Sequence, residues 1–216
     1  MNRPGDTQSV LDTHALHTRG ALVTRVLLLL AVLTALIAVL AACGEASDTK
    51  ELHVASSGTP QMKAAAALYA VALTRAGTPA TTDGAPTGDD ARLLDAIAAG
   101  DIDLFPAFTG DVLTDLTPSP PALTGDELQA QVSRSLPQGV AIGDPTGAAR
   151  TDPRGLGQDL VPVYRSAELD KPALAALSRI AGDLSTEDLD ALGDRVAAGE
   201  DPRSVAADWL STHASA

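Results

Sequence analysis

The chain has one cysteine in 216 residues, and aromatic side chains make up only 2% of it: two Phe, two Tyr and one Trp. A single thiol excludes a disulfide framework and any metal site built from paired cysteines. Basic residues are scarce as well, with 15 Lys and Arg against 28 Asp and Glu and a formal net charge of −13. A surface of that sign repels phosphate, which excludes nucleic acid as a partner and disfavours anionic lipid headgroups. Beyond residue 42 the only histidines are His53 and His213. Neither falls in a nucleophile or metal-ligand pattern, and both read as surface or packing residues. Ser56-Ser57-Gly58 lacks the G-x-x-x-x-G-K-[ST] pattern of a phosphate-binding loop. Carboxylate pairs such as Asp89-Asp90 and Glu187-Asp188 stand where helix starts favour negative charge. The sequence therefore points to no enzyme, no cofactor and no metal.

One long apolar run is present. Val26 to Ala42 carries no charge, follows Arg3, Arg19 and Arg25, and ends in Leu40-Ala41-Ala42-Cys43-Gly44. Arginines, an apolar stretch and a small-residue box ending in cysteine read as a lipoprotein signal peptide over residues 1–42, with Cys43 as the lipidated residue. An uncleaved transmembrane helix is the other reading, because about 17 apolar residues approach the lower limit for spanning a bilayer. The chain's only cysteine stands where lipidation needs it, which favours the first. The mature protein would then be extracytoplasmic and held to the cell membrane by its lipid anchor. Its 174 residues carry 26 acidic and 12 basic side chains, about one domain's worth of chain.

After a tether over 43–50, strands and helices alternate through a domain over 51–216. Glu51 to Ala55 alternates as a strand. Thr59 and Pro60 open a helix to Arg75, with Met62, Ala65, Ala66, Tyr69 and Leu73 on its buried face. A turn-rich stretch from Thr78 to Gly88 leaves room for one short strand. Asp89 caps a helix bearing Leu93, Leu94 and Ile97 that closes at Gly100, and Ile102 to Phe105 is a brief strand. Thr124 to Glu127 has the form of a capping box and predicts a helix over 125–135. Val140 to Ile142 is a strand, and Gly143 to Gly157 lacks periodicity and reads as a loop. Leu160 to Tyr164 is again a strand, placed at an edge or terminus by Pro162. Helices over 171–181, 186–198 and 202–213 follow. The pattern is α/β, with a mixed, mostly parallel sheet flanked by helices.

Gly100-Asp101-Ile102-Asp103-Leu104-Phe105-Pro106-Ala107-Phe108-Thr109-Gly110 resembles the osmoprotectant-binding lipoproteins of ABC transporters, the glycine betaine, carnitine and choline binders. Their stretch there runs like G-x-I-D-L-Y-P-E-Y-T-G-T. The opening from Leu52 to Gln61 and the tail segments Leu160 to Arg165, Leu184 to Leu189 and Asp201 to Ala206 are similar to further family signatures in the same order. The resemblance implies a periplasmic-binding-protein-like fold of type II, an ABC permease as partner, and a quaternary-ammonium ligand held between two lobes by a cage of aromatic rings.

The chain departs from that pattern after Asp144-Pro145. Only Thr146 to Asp159 stands where the family crosses to its second lobe, so one lobe is expected, its two parts joined by an exposed loop over 146–158. Phe105 and Phe108 occupy the family's two tyrosine positions, and Ala107 replaces the glutamate between them. By resemblance the ligand-binding residues are Phe105, Phe108, Asp144 and Tyr164, with packing beneath the sheet edge as the alternative role for the two phenylalanines. Two functions follow: a solute-binding component with weak affinity for quaternary amines, or an interaction protein that kept one lobe of the fold and docks through an exposed ring pair.

Overall fold

Thr59 opens the first helix, its hydroxyl accepting from the Met62 amide at 3.3 Å, and Pro60 fills a first-turn position where a missing N–H costs nothing. This helix, α1 (Pro60–Arg75), is buried at Met62, at every residue from Ala64 to Ala70, and at Ala72 and Leu73. The sequence marked one apolar face; from Ala64 to Ala70 the whole circumference is covered, because alanines let neighbours approach from all sides. The computed structural model describes residues 50–152 and 157–213, which lie in one compact unit. The expected signal peptide, Cys43 and most of the tether lie outside the described residues.

The strands are β1 (Leu52–His53), β2 (Ala80–Thr81), β3 (Leu104–Phe108), β4 (Val140–Ile142), β5 (Ala149–Thr151) and β6 (Gly157–Arg165). The remaining helices are α2 (Asp90–Ala99), α3 (Thr109–Leu116), α4 (Gly125–Ser135), α5 (Lys171–Asp183), α6 (Thr186–Ala197) and α7 (Pro202–His213). β1 pairs parallel with β2 and meets β3 through a parallel bridge from Val54 to Leu104. β6 then pairs antiparallel with β3, β4 and β5. The other strands thus all run in one direction and β6 alone is reversed, so the arrangement is mixed: parallel where β1 meets β2 and β3, antiparallel wherever β6 pairs.

β6 is interior, flanked by β3 and β4, where Pro162 had suggested an edge. Pro162 stands opposite Pro106, and its carbonyl accepts from the Gly143 amide at 2.9 Å. A residue's N–H and C=O point to the same side of a strand, so the missing N–H faces the end of β4 and removes no bond to β3. The segment expected as a loop over 146–158 contains β5, which is exposed, and the start of β6, and Thr146, Ala148 and Gln158 within it are buried at 5%, 0% and 3% exposure.

Side chains alternate strictly about the sheet. Leu104, Phe108 and Leu160 join α1, α5, α6 and α7 in one core, while Phe105, Ala107, Val161 and Val163 join α2, α3 and α4 in the other. The α3 helix was not legible in the sequence: it follows β3 directly, with no side chain capping it. Thr124 likewise makes no cap bond to α4, and a complete capping box is found instead at Ser185 and Asp188 before α6.

Asp103 fixes the lower end of this frame. It is 1% exposed, receives the Lys50 ammonium at 2.7 Å and the Arg165 guanidinium at 3.3 Å, and accepts from the His53 amide at 2.9 Å. Burial alone would raise its carboxyl, but the Lys50 and His53 hydrogen bonds and both cations outweigh it and hold the carboxyl below the usual range.

Candidate functional site

The starts of α1, α2, α3 and α6 converge with β5 around an open cleft of about 980 Å³. Such convergence follows from the fold, since these helices begin near one end of the sheet. The loop before α1 brings Ser57 and Thr59, α2 brings Asp90 behind its cap Asp89, and α3 brings Asp111, Thr114 and Asp115. β5 supplies Arg150, β6 supplies Gln158, and Phe108 closes the wall at the end of β3. Six aspartates line the cleft, at 89, 90, 111, 115, 152 and 190, against one arginine.

Crowded carboxylates shift one another. The Asp90 carboxyl is pushed up to about 6, first by burial and then by Asp111 and Asp115, with Arg150 opposing. Asp115 is raised for the same reasons, burial first and then Asp111 and Asp89. Arg150 is the counter-charge. Its guanidinium lies 4.0 Å from the centre of the Phe108 ring, pairs with the Asp111 carboxylate, and donates through Nε to Gln158 Oε1 at 3.4 Å. Gln158 is itself held against the start of α3, where Gly110 leaves no side chain in its way: a Cβ there would stand 2.3 Å from Gln158 Nε2.

The four residues expected from resemblance do not meet in this cleft. Phe108 is on its wall, 8% exposed. Phe105 is fully buried on the opposite face of β3, among Leu93, Ile97, Val112 and Val163, because residues three apart on a strand point to opposite sides. Tyr164 pairs with Leu104 at the far end of β3, four positions or roughly 13 Å from Phe108. Its phenol is raised by burial and then by Asp144, which is exposed and accepts from Ser178 Oγ at 2.6 Å. Asp144 and Tyr164 are thus neighbours of each other and lie outside the cleft. Arg150, Asp111 and Gln158 carry no site signal in the sequence, and Asp90 reads there, with Asp89, as a helix-start carboxylate and not as a cleft residue. The Asp, Gly and Arg content of residues 143–157 was the available signal, and it was read only as loop composition.

No cluster of three or more His, Cys, Asp or Glu among the described residues could hold a metal ion. No helix among the described residues is long and apolar enough to cross a membrane. Chemically, the cleft suits a cation: ring face on one side, carboxylates around it, and no need for hydrogen-bond donors on the guest.

The sequence matches no protein-family model and no curated protein. Solved structures do match. One is a glycine betaine/carnitine/choline ABC transporter protein, 10% identical with a TM-score of 0.62 over 75% of this chain and 98% of that one. Another is apo YehZ from Escherichia coli, 13% identical with a TM-score of 0.64 over 77% of this chain and 99% of that one. The chain therefore shares the α/β fold of these two solved structures.

Proposed function

We propose that the protein is an extracytoplasmic solute-binding component of an ABC transporter, anchored to the membrane through Cys43, that takes up quaternary amines such as glycine betaine or choline in the cleft at Phe108. The observation that carries this reading is the cation already lying on the Phe108 ring inside a cleft lined by six aspartates. A quaternary ammonium is soft and donates no hydrogen bond, so a ring face and a negative field are the means of holding it. The cleft's size falls in the range of small-molecule sites. Likeness to the glycine betaine/carnitine/choline transporter protein supports the same direction, and the partner would be the permease that receives the solute.

One ring makes the site weak. A single cation–π contact contributes about 0.5 to 1 kcal/mol when exposed, whereas millimolar binding requires about 4, so the carboxylate field has to supply most of the rest. Residues 51–145 and 159–213 are then the single lobe, bridged by β5 and not by a free loop. Docking through an exposed pair of rings loses its motive, since Phe105 is 0% and Phe108 8% exposed.

Calorimetric titration of the full chain in detergent with choline, glycine betaine and carnitine tests the proposal. Millimolar binding of at least one, abolished at 1 M salt, is expected; no heat from any of them would overturn it.

A further inference from the structure

Among the described residues Arg150 contacts Phe108, Asp111 and Gln158; a passing cation can take over the first two contacts, and the third is weak. Its guanidinium covers the Phe108 ring at 4.0 Å. It pairs with Asp111, but both side chains reach solvent, at 46% and 37% exposure, so the pair is weak and its release leaves neither charge stranded. Its bond to Gln158 is long, at 3.4 Å. The strand that carries it is short and exposed throughout, and it pairs with β6 through Ala149, Arg150 and Thr151. Those backbone pairings do not depend on where the Arg150 side chain points.

We propose that Arg150 is a built-in competitor for the cation position of the cleft: its guanidinium occupies the Phe108 face and Asp111, and a cationic solute binds there only when it displaces that group. The inference rests on the proposed function, because it takes the cleft as a cation site. Its physical content is an exchange of one cation for another. Displaced, the guanidinium turns into water, which solvates it, while the ring and the Asp111 carboxylate receive the guest. The apparent affinity is then the intrinsic affinity reduced by the fraction of time the ring is uncovered. Gln158 is a positioning residue in this scheme. At 3% exposure, and seated against Gly110, it cannot follow Arg150 outward, so it favours the covered state without obstructing the guest. The device sets specificity as well as strength, since an uncharged solute has nothing to offer Asp111 in return and leaves Arg150 in place.

The test is titration of the full chain with tetramethylammonium chloride at constant ionic strength, for the wild type and for Arg150→Ala, Arg150→Gln and Arg150→Lys. About tenfold tighter binding by the Ala and Gln variants, with Arg150→Lys close to wild type, is the expected result. The Gln variant keeps most of the side chain's bulk and decides the matter if the Ala variant melts early. In the free wild-type protein the Arg150 Hδ protons should also show an upfield ring-current shift that titrates away as tetramethylammonium is added. Ala and Gln variants that bind no more tightly than a binding wild type overturn the competitor role and leave the proposed function standing. Absence of binding by every form overturns both.

Discussion

Phe105 and Phe108 are three residues apart on one strand and live in different environments. The first is sealed beneath α2, α3 and α4; the second ends the other core and opens onto an acidic cleft. Their difference separates what holds the fold from what is available to a ligand. A strand puts alternate residues on opposite faces, so a motif that reads as a pair of equivalent rings becomes one packing residue and one site residue. The same division runs through the acids: Asp103 is buried, paired and structural, whereas Asp90 and Asp111 crowd the cleft.

Loss of the buried ring should act chiefly on stability. Phe105→Ala should cost about 3 to 5 kcal/mol, the usual penalty for emptying an aromatic site in a core, read as a lower urea midpoint with an unchanged slope. Asp103→Asn should cost about 2 kcal/mol, below the figure for a fully buried pair because the Lys50 and Arg165 side chains keep 51% and 30% exposure. Since the folded carboxyl of Asp103 is held low, its contribution is present above the unfolded value near 3.8 and is lost as pH falls through the folded one. The Asn variant should therefore approach the wild type in stability in strong acid.

Gly110→Ala should cost about 1 to 3 kcal/mol through overpacking, because a methyl group at α3 collides with Gln158. It should also loosen Arg150 and weaken the ring-current shift of that side chain. Smallest is Asp90→Asn, expected to stabilise by about 1 kcal/mol at pH 7.5 after allowance for partial solvent contact. The sign follows from a folded carboxyl raised to about 6: it costs stability above that pH, and the cost disappears as pH falls toward the unfolded value near 3.8. The gain in melting temperature should thus vanish by about pH 4.

Much of the frame was legible in the sequence for identifiable reasons. Thr59-Pro60, Asp89 with Gly100, Ser185 and Asp201-Pro202 are strong local start and stop signals, and the helices they bound agree to within a residue or two. The reversed interior strand β6 was not legible, because Pro162 reads as an edge signal unless its partner Pro106 is known. Nor was α3, which has no side-chain cap and carries Gly110 in its first turn for a tertiary reason, close approach of Gln158. The cleft was the least legible part. It is assembled from four helix starts and a three-residue strand far apart in sequence, and no local pattern announces that Arg150 will lie on Phe108.

Phe105→Leu and Phe108→Leu both keep an apolar side chain and remove the ring, so choline binding by the two variants locates the site. Choline should be titrated into each at a temperature where both are folded. Phe105→Leu should bind as the wild type does despite its lower stability, and Phe108→Leu should lose affinity by about threefold to fivefold, the equivalent of one exposed cation–π contact of roughly 0.7 to 1 kcal/mol. Equal binding by Phe108→Leu and the wild type, or a loss confined to Phe105→Leu, would contradict the assignment of the site to the Phe108 face.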